Sequence, residues 1–215
     1  MMHRARALYA LAALAALSAC AKNGELVIDE GVGITSVLSL CPAVGIPDYT
    51  GDVTTFRGAD QTTAALDVSA AMTNLRSTCN DTGERVYAEA EFTVNARRTD
   101  VRGARTVELP YFVTVLQAGS AVVSKRVGTV TLAFADGQER ASATGRAGSF
   151  VDRSAAALPQ DIRERITRRR RAGDEDAAID PLAEPEVKAA IARTRFEMLV
   201  GFQLTEDQLK YNVTR

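Results

Sequence analysis

The stretch ERVYAEAEFTVNARR, residues 84–98, has the most regular alternation of apolar and polar residues in the chain. Its apolar or small positions are Val86, Ala88, Ala90, Phe92, Val94 and Ala96, and its polar positions include Tyr87, Glu89, Glu91, Thr93 and Asn95. Because successive side chains of a strand point to opposite faces, this alternation predicts a strand with one buried and one solvated face.

Further strand patterns, separated by turn signals, surround this stretch. TAALDVSAAMTNLRSTC and residues 84–98 flank NDTG, which predicts a hairpin. TVELPYFVTVLQ and AVVSKRVGTVTLAFA are joined through Ala118-Gly119, and Asp136-Gly137 is a strong hairpin signal before QERASATGRAGSFVD. Pro110 indicates that its strand is an edge or bulges there. The pattern predicts an antiparallel β-sandwich or open barrel over residues 34–152.

After Asp152 the character changes, and residues 153–215 are expected to form an α-helical C-terminal segment. LPQDIRERITRRRRAG carries Pro159 in its first turn and Gly173 at its end. An acidic, proline-containing linker precedes EPEVKAAIARTRFEMLVGF, which is interpreted as a second helix. Its apolar face would comprise Val187, Ile191, Phe196, Leu199 and Val200. Thr205 to Gln208 fit a capping box that starts a final short helix.

The N-terminus has the three parts of a secretory signal peptide. Basic residues at His3, Arg4 and Arg6 precede the apolar run Ala7–Leu17, and small residues follow it. The run is too short to span a membrane, which takes about 20 apolar residues. The alternative, a buried N-terminal helix, must explain a run of Leu and Ala with no polar face.

The sequence Leu17-Ser18-Ala19-Cys20 resembles the lipobox of bacterial lipoproteins. The resemblance implies that residues 1–19 are removed, that Cys20 receives a diacylglyceryl group and an acylated amino end, and that residues 20–33 form a tether. Two or three acyl chains suffice for stable anchoring. Because Ala21 follows the cysteine, the resemblance also implies the outer membrane of a Gram-negative envelope. We expect a lipid-anchored body that faces the periplasm.

With Cys20 lipidated, Cys41 and Cys79 remain as a pair among the three cysteines. Disulfides persist in the oxidising compartments to which exported chains are delivered, so we expect a Cys41–Cys79 bond. The alternative, a reactive or metal-binding thiol pair, lacks both a CxxC spacing and a histidine ligand.

Composition excludes several kinds of chemistry from the mature chain. The only histidine, His3, lies in the expected signal peptide, so no imidazole base, Ser-His-Asp arrangement or His-ligated zinc is available. Removal of Arg4 and Arg6 with the signal peptide leaves 24 Lys and Arg against 27 Asp and Glu, a formal charge of −3, which gives no footprint for nucleic acid. We expect no catalytic residue, metal or cofactor, although carboxylate, lysine or tyrosine chemistry stays open.

The sharpest charged feature comprises Arg168, Arg169, Arg170 and Arg171. Arginine forks bind phosphate and carboxylate well, so this run is a candidate site for an anionic headgroup or an acidic partner. The favoured alternative is a solvated helix end, where cations offset the helix dipole and the acidic residues 174–176 partner them.

Two further pairs have a functional and a structural interpretation. Glu89 and Glu91 share a strand face. One interpretation is a pair of glycosidase carboxylates, and the favoured interpretation is an exposed strand face that carries Glu. Tyr111 and Phe112 form either an exposed aromatic patch for a partner or, as favoured, part of the core.

Three functions from different classes remain. The favoured one is a lipid-anchored envelope protein with a non-catalytic accessory, structural or protein-interaction role, whose partners are the membrane and other envelope proteins. The second is a lipid- or glycan-binding module, which requires a concave apolar cavity. The third is a carboxylate-based envelope hydrolase, which requires convergent acids with perturbed pKa values in one cleft.

Overall fold

The computed structural model describes residues 39–171 and 173–215. The expected signal peptide, the expected lipidation site at Cys20, the expected tether and most of the apolar run before Cys41 lie outside the described residues. By internal contacts, residues 34–167 and 179–215 belong to one unit, and residues 168–178 belong to another. The description that follows concerns the first unit.

The unit is mainly β, as the sequence predicts, with short helices that follow the seventh strand. The strands are β1 (Ala43–Gly45), β2 (Asp52–Phe56), β3 (Leu66–Asn80), β4 (Arg85–Arg98), β5 (Arg105–Gln117), β6 (Ala121–Phe134), β7 (Arg140–Asp152) and β8 (Phe196–Phe202). The helices are α1 (Arg153–Ala156), α2 (Gln160–Thr167), α3 (Pro185–Thr194) and α4 (Glu206–Thr214). Single 3-10 turns occur at Thr63–Ala65 and Pro181–Ala183.

The strands form two four-stranded sheets, ordered β2-β3-β4-β7 and β1-β8-β5-β6. The ladders are antiparallel except for the pairing of β1 with β8, which is parallel and places Ala43 opposite Glu197. The hairpin from β3 to β4 around NDTG is confirmed, as is the tight β5–β6 turn, where Ala118 and Gly119 have φ of 55° and 78°. Positive φ at both central residues is typical of a two-residue hairpin turn.

The alternation in β4 is confirmed at every position. Its core-facing residues from Val86 to Ala96 are buried, and Phe92 is 0% exposed. The core between the sheets is completed by apolar residues of the other strands, including Val68, Val113, Leu132, Phe134, Val151, Met198 and Phe202.

The second helix predicted for residues 184–202 is wrong in its latter half. Helix α3 ends at Thr194, and Phe196–Phe202 form β8, which lies between β1 and β5. A short apolar run is ambiguous between helix and strand by periodicity alone. The edge of β5 decides the outcome, because residues Tyr111 to Gln117 pair with β8 and thereby satisfy the backbone hydrogen bonds of both strands. The expected division at residue 152 between a β part and a helical part therefore does not hold for this strand.

Two local predictions are also corrected. Asp136-Gly137 is a turn, with Gly137 at φ 76°, but it joins edge strands of different sheets, so β6 and β7 do not form the predicted hairpin ladder.

Pro110 lies in an inner strand without a bulge at that position. The proline is tolerated because the β5–β8 ladder ends at the pair Tyr111 and Phe202, and beyond it the Pro110 carbonyl accepts from the Gln203 N–H.

The last core-facing residue of β4 is an arginine, Arg98, which is 1% exposed. Its guanidinium donates to four backbone carbonyls at 2.8–2.9 Å, those of Val101, Gly103, Ala135 and Gln138. It also lies over the ring of Phe134, 5.2 Å from the ring centroid. A buried charge is tolerated only when it is well hydrogen-bonded, and here the charge holds the β4–β5 and β6–β7 connections together.

Candidate functional site

A cavity lies where helices α1, α2 and α3 meet the starts of β1 and β8. The cavity has a volume of about 510 Å³. That volume falls within the range of small-molecule sites, about 300–1,000 Å³.

The helices that line the cavity are held by a small apolar cluster of their own. Ile162 and Ile166 of α2 pack against Val187 and Ala190 of α3, and all four are buried. Ala156 of α1 packs instead into the main core between the sheets. Residues of both clusters line the cavity, among them Ile166 of the helical cluster and Ala156 of the main core.

The floor of the cavity is apolar. It is lined by Leu40, Ala43, Ala156, Ala157, Leu158, Ile166, Ile191 and Phe196. The hydroxyl side chains in the lining belong to Ser39, Thr167 and Thr194. The described part of the lining contains no carboxylate, lysine, histidine or tyrosine. These residues are therefore suited to binding an apolar group and offer no carboxylate or imidazole for acid–base chemistry.

Three arginines complete the lining, Arg153, Arg163 and Arg195, and all three are exposed. Arg153 donates to the backbone carbonyls of Asp81 and Gly83 in the β3–β4 loop, and Arg163 donates to the Leu158 carbonyl at 3.3 Å. Among the residues that the structure describes, no carboxylate lies within 4.0 Å of any of the three guanidinium groups. The rim therefore carries positive charge that no acidic side chain of the described residues neutralises.

The predicted disulfide is confirmed and borders this cavity. Cys41 and Cys79 are bonded, with a Sγ–Sγ distance of 2.03 Å and a Cα–Cα distance of 6.1 Å. Cys41 is itself part of the lining, and Cys79 lies near the end of β3. The bond therefore ties the segment that enters β1 to the neighbouring sheet.

The arginine run belongs to the separate unit of residues 168–178. Helix α2 ends at Thr167, so the run begins directly after the helix and not within it. Arg168 and Arg170 both donate to Asp176, as the acidic-partner interpretation expects, but Arg170 is 4% exposed and so is not solvated. Arg169 and Arg171 are exposed. A role for the run in binding an anion or a partner stays a prediction.

Burial opposes ionisation of Asp176, but hydrogen bonds and charge from Arg170 and Arg168 outweigh it and hold the pKa of that carboxyl below its usual range. The lowered pKa keeps Asp176 ionised, so part of the positive charge of the run is neutralised within the segment itself.

The two strand glutamates each have a partner on the outer face of β4. Tyr87 donates its hydroxyl to Glu89 at 2.9 Å, and this hydrogen bond raises the pKa of the tyrosine. Arg146 of β7 pairs with Glu91 at 2.8 Å. Glu89 thus contacts a residue on the same face of its own strand, and Glu91 contacts a residue of the neighbouring strand. Both contacts lie on an open surface, as the favoured interpretation expects.

Tyr111 is a core residue at its ring and a hydrogen-bond donor at its tip. The ring contacts Phe92 edge-on with centroids 5.1 Å apart, and the hydroxyl donates to the Arg146 carbonyl at 2.6 Å. Phe112 is half-buried, and Lys125 lies over its ring at 5.6 Å. The aromatic pair therefore does not form the exposed patch that the alternative interpretation requires.

A second depression, of about 540 Å³, lies over β2, β3, β4 and β7. Its lining is largely polar and includes Asp52, Ser69, Asn95, Arg97, Arg140 and Arg215. Arg215 already pairs with Asp52, and no aromatic residue is present on which a sugar ring could stack. The cavity below the helices is the better defined of the two.

No protein family, curated protein or solved structure matches this chain. Within the residues that the structure describes, no helix is both long and apolar enough to cross a membrane. The same residues contain no cluster of three or more His, Cys, Asp or Glu side chains that could hold a metal ion.

Sequence reasoning did not identify the cavity. Its lining comes from residues 39–43, 153–167 and 191–196, which are brought together only when β8 enters the sheet. The sequence signal for the cavity is the set Arg153, Arg163 and Arg195 near apolar residues of the helical stretches. This set is less conspicuous in the sequence than the arginine run at residues 168–171.

Proposed function

We propose that this protein is a lipid-anchored component of the cell envelope with a non-catalytic accessory or protein-interaction role. The observation that carries the proposal is the Cys41–Cys79 bond, which uses both cysteines other than Cys20. Disulfides persist in oxidising compartments, so the bond supports export. Cys20 is then left at the end of the lipobox as the acceptor of lipid.

The ionisable groups support a non-catalytic role. Hydrogen bonds from Arg105 lower the pKa of Asp67, and those from Arg102 lower the pKa of Asp100. Both acids are thus held ionised in ion pairs. A general acid needs the opposite perturbation, a raised pKa in a cleft.

The anchor is tested by replacing Cys20 with Ser in the full chain. We expect the wild-type protein to fractionate with membranes and to carry acyl chains on its first peptide in mass spectrometry, whereas Cys20→Ser loses both. Ser18→Ala, which keeps a small residue in the lipobox, is the matched control. Unchanged membrane retention of the Cys20→Ser variant would refute the anchor.

The proposed location is the outer membrane with the body facing the periplasm. We expect density-gradient separation to place the wild-type protein with outer-membrane markers. We also expect protease added to intact cells to leave it uncut. Cleavage in intact cells would contradict the periplasmic orientation.

The cavity below the helices favours a second candidate function, the binding of a lipid-like ligand. A module of this kind requires a concave apolar surface with a few polar groups that fix orientation. The apolar floor and the arginine rim provide both features.

A further inference from the structure

We infer that the cavity lined by helices α1, α2 and α3 binds an anionic amphiphile, with a single acyl chain on its apolar floor and a carboxylate or phosphate at its arginine rim. The inference rests on the second candidate function and is independent of the anchor at Cys20.

The apolar part of the ligand follows from the floor of the cavity. Leu158, Ile166, Ile191 and Phe196 present aliphatic and aromatic surface, and the alanines at 43, 156 and 157 leave space between them. Burial of each additional methylene in such a surface raises affinity about fourfold. We therefore expect affinity to rise with acyl length until the cavity is filled.

The sign of the headgroup follows from the rim. Arg153, Arg163 and Arg195 contribute three positive charges to a lining whose described residues include no acid. Elsewhere on the described surface, arginines such as Arg97, Arg105 and Arg146 pair with carboxylates. Guanidinium groups bind carboxylate and phosphate through paired hydrogen bonds, so an anion is the complementary group.

The combination excludes simpler occupants. A free anion would leave the apolar floor wet, and a neutral chain would leave the three guanidinium groups without a counter-charge. A cationic amphiphile would place like charges together. A free fatty acid and an anionic lysophospholipid share the required chemistry, so both belong in the experiment.

The test uses the full chain carrying Cys20→Ser, studied by isothermal titration calorimetry with each probe below its micellar concentration. The probes are dodecanoate, octanoate, lysophosphatidylglycerol, dodecyltrimethylammonium and inorganic phosphate. We expect dodecanoate or lysophosphatidylglycerol to bind at one site and octanoate to bind more weakly than dodecanoate. Preference between the two anionic probes identifies the source of the ligand. We expect no saturable binding of dodecyltrimethylammonium or phosphate.

Variants locate the binding site. Arg163→Ala and Arg195→Ala should each weaken dodecanoate binding about tenfold, because each removes a hydrogen-bonding charge. Arg126→Ala is the matched control, since Arg126 is an exposed arginine of β6 outside the lining. Ala157→Phe should abolish binding of every amphiphile by filling the cavity.

Three results would overturn the inference. One is equal binding of the cationic and anionic amphiphiles. Another is unchanged dodecanoate affinity in the double variant Arg163→Ala/Arg195→Ala. The third is an absence of binding by all probes, as would occur if the chain's own residues occupied the cavity. Thermal melts of each variant accompany the titrations, and the exposed arginine variants keep the test valid if Ala157→Phe fails to fold.

Discussion

The ring of Phe92 in β4 lies directly over Gly145, its cross-strand partner in β7. A Cβ atom at residue 145 would lie 2.4 Å from two ring carbons of Phe92 and 2.9 Å from Val130. The neighbouring pair repeats the arrangement, because Tyr111 covers Gly128 and also contacts Phe92. The two glycines thus make room for two rings that meet in the core between the sheets.

Gly145→Ala should therefore destabilise the fold. The added methyl group must displace Phe92, and overpacking of a well-packed core costs about 1–3 kcal/mol. The free energy of unfolding from urea titration measures the effect. Gly45→Ala is the control, because a Cβ there meets no atom within 4 Å. Equal stability of Gly145→Ala and Gly45→Ala would show that the ring position is not fixed.

Arg98→Met should destabilise the protein by about 3–5 kcal/mol, because four backbone carbonyls lose their buried donor. Arg98→Lys should recover little of this loss, since one ammonium group cannot reach four carbonyls with the geometry of the guanidinium fork. The neighbouring Arg97→Ala, which removes an exposed pair with Glu139, should cost less than about 1 kcal/mol. Similar urea midpoints for Arg97→Ala and Arg98→Met would contradict the structural role of Arg98.

The Asp67–Arg105 pair predicts a component of acid sensitivity. Arg105 donates twice to Asp67, at 2.7 Å each, and these hydrogen bonds lower the pKa of Asp67 in the folded state. A lowered folded-state pKa contributes stability above the unfolded pKa of about 4, and this contribution is lost as the pH falls toward the folded-state pKa.

Asp67→Asn should consequently be less stable than wild type at pH 7. It should also lose less stability than wild type between pH 5 and pH 2, two values on either side of the unfolded pKa of about 4. Thermal melts across this range measure both effects. Asp60→Asn, at an exposed carboxylate, should follow the wild-type curve. Parallel curves for Asp67→Asn and wild type would remove the pair from the acid response.

Deletion of residues 196–215 should prevent the β part from folding. The deletion removes β8 from between β1 and β5 and exposes the edge of β5. Circular dichroism and solubility of the shortened chain test this outcome. Deletion of residues 206–215 is the control, because it removes α4 but keeps β8, and we expect it to disturb folding less. A folded, soluble product of the longer deletion would show that β8 is dispensable.

Local patterns predicted the parts of the fold that local physics determines. The alternation around Phe92, the tight turn at Ala118-Gly119 and the capping box of α4 are all confirmed. In α4, the Thr205 hydroxyl accepts from the Gln208 N–H, and the Gln208 side-chain oxygen accepts from the Thr205 N–H. Each of these features depends on residues that are close in the sequence.

The parts that sequence did not predict depend on distant partners. Residues 196–202 become a strand because β5 offers an unpaired edge, although the preceding ten residues form a helix. Arg98 is buried because four carbonyls from two connections surround it, and no local pattern marks those carbonyls as acceptors. The cavity was not predicted for the same reason, because part of its lining is positioned by β8 and so depends on distant strand pairing.

The place of β8 also bears on how such a chain could be exported. Residues 196–202 stand near the end of the 215-residue chain yet form an inner strand that joins residues 43–45 to β5. Under the export proposed above, a chain that threads through a translocation channel amino end first closes this sheet only after residues 196–202 have crossed. The proposal thus implies that tight folding follows translocation, in the compartment where Cys41 and Cys79 are oxidised.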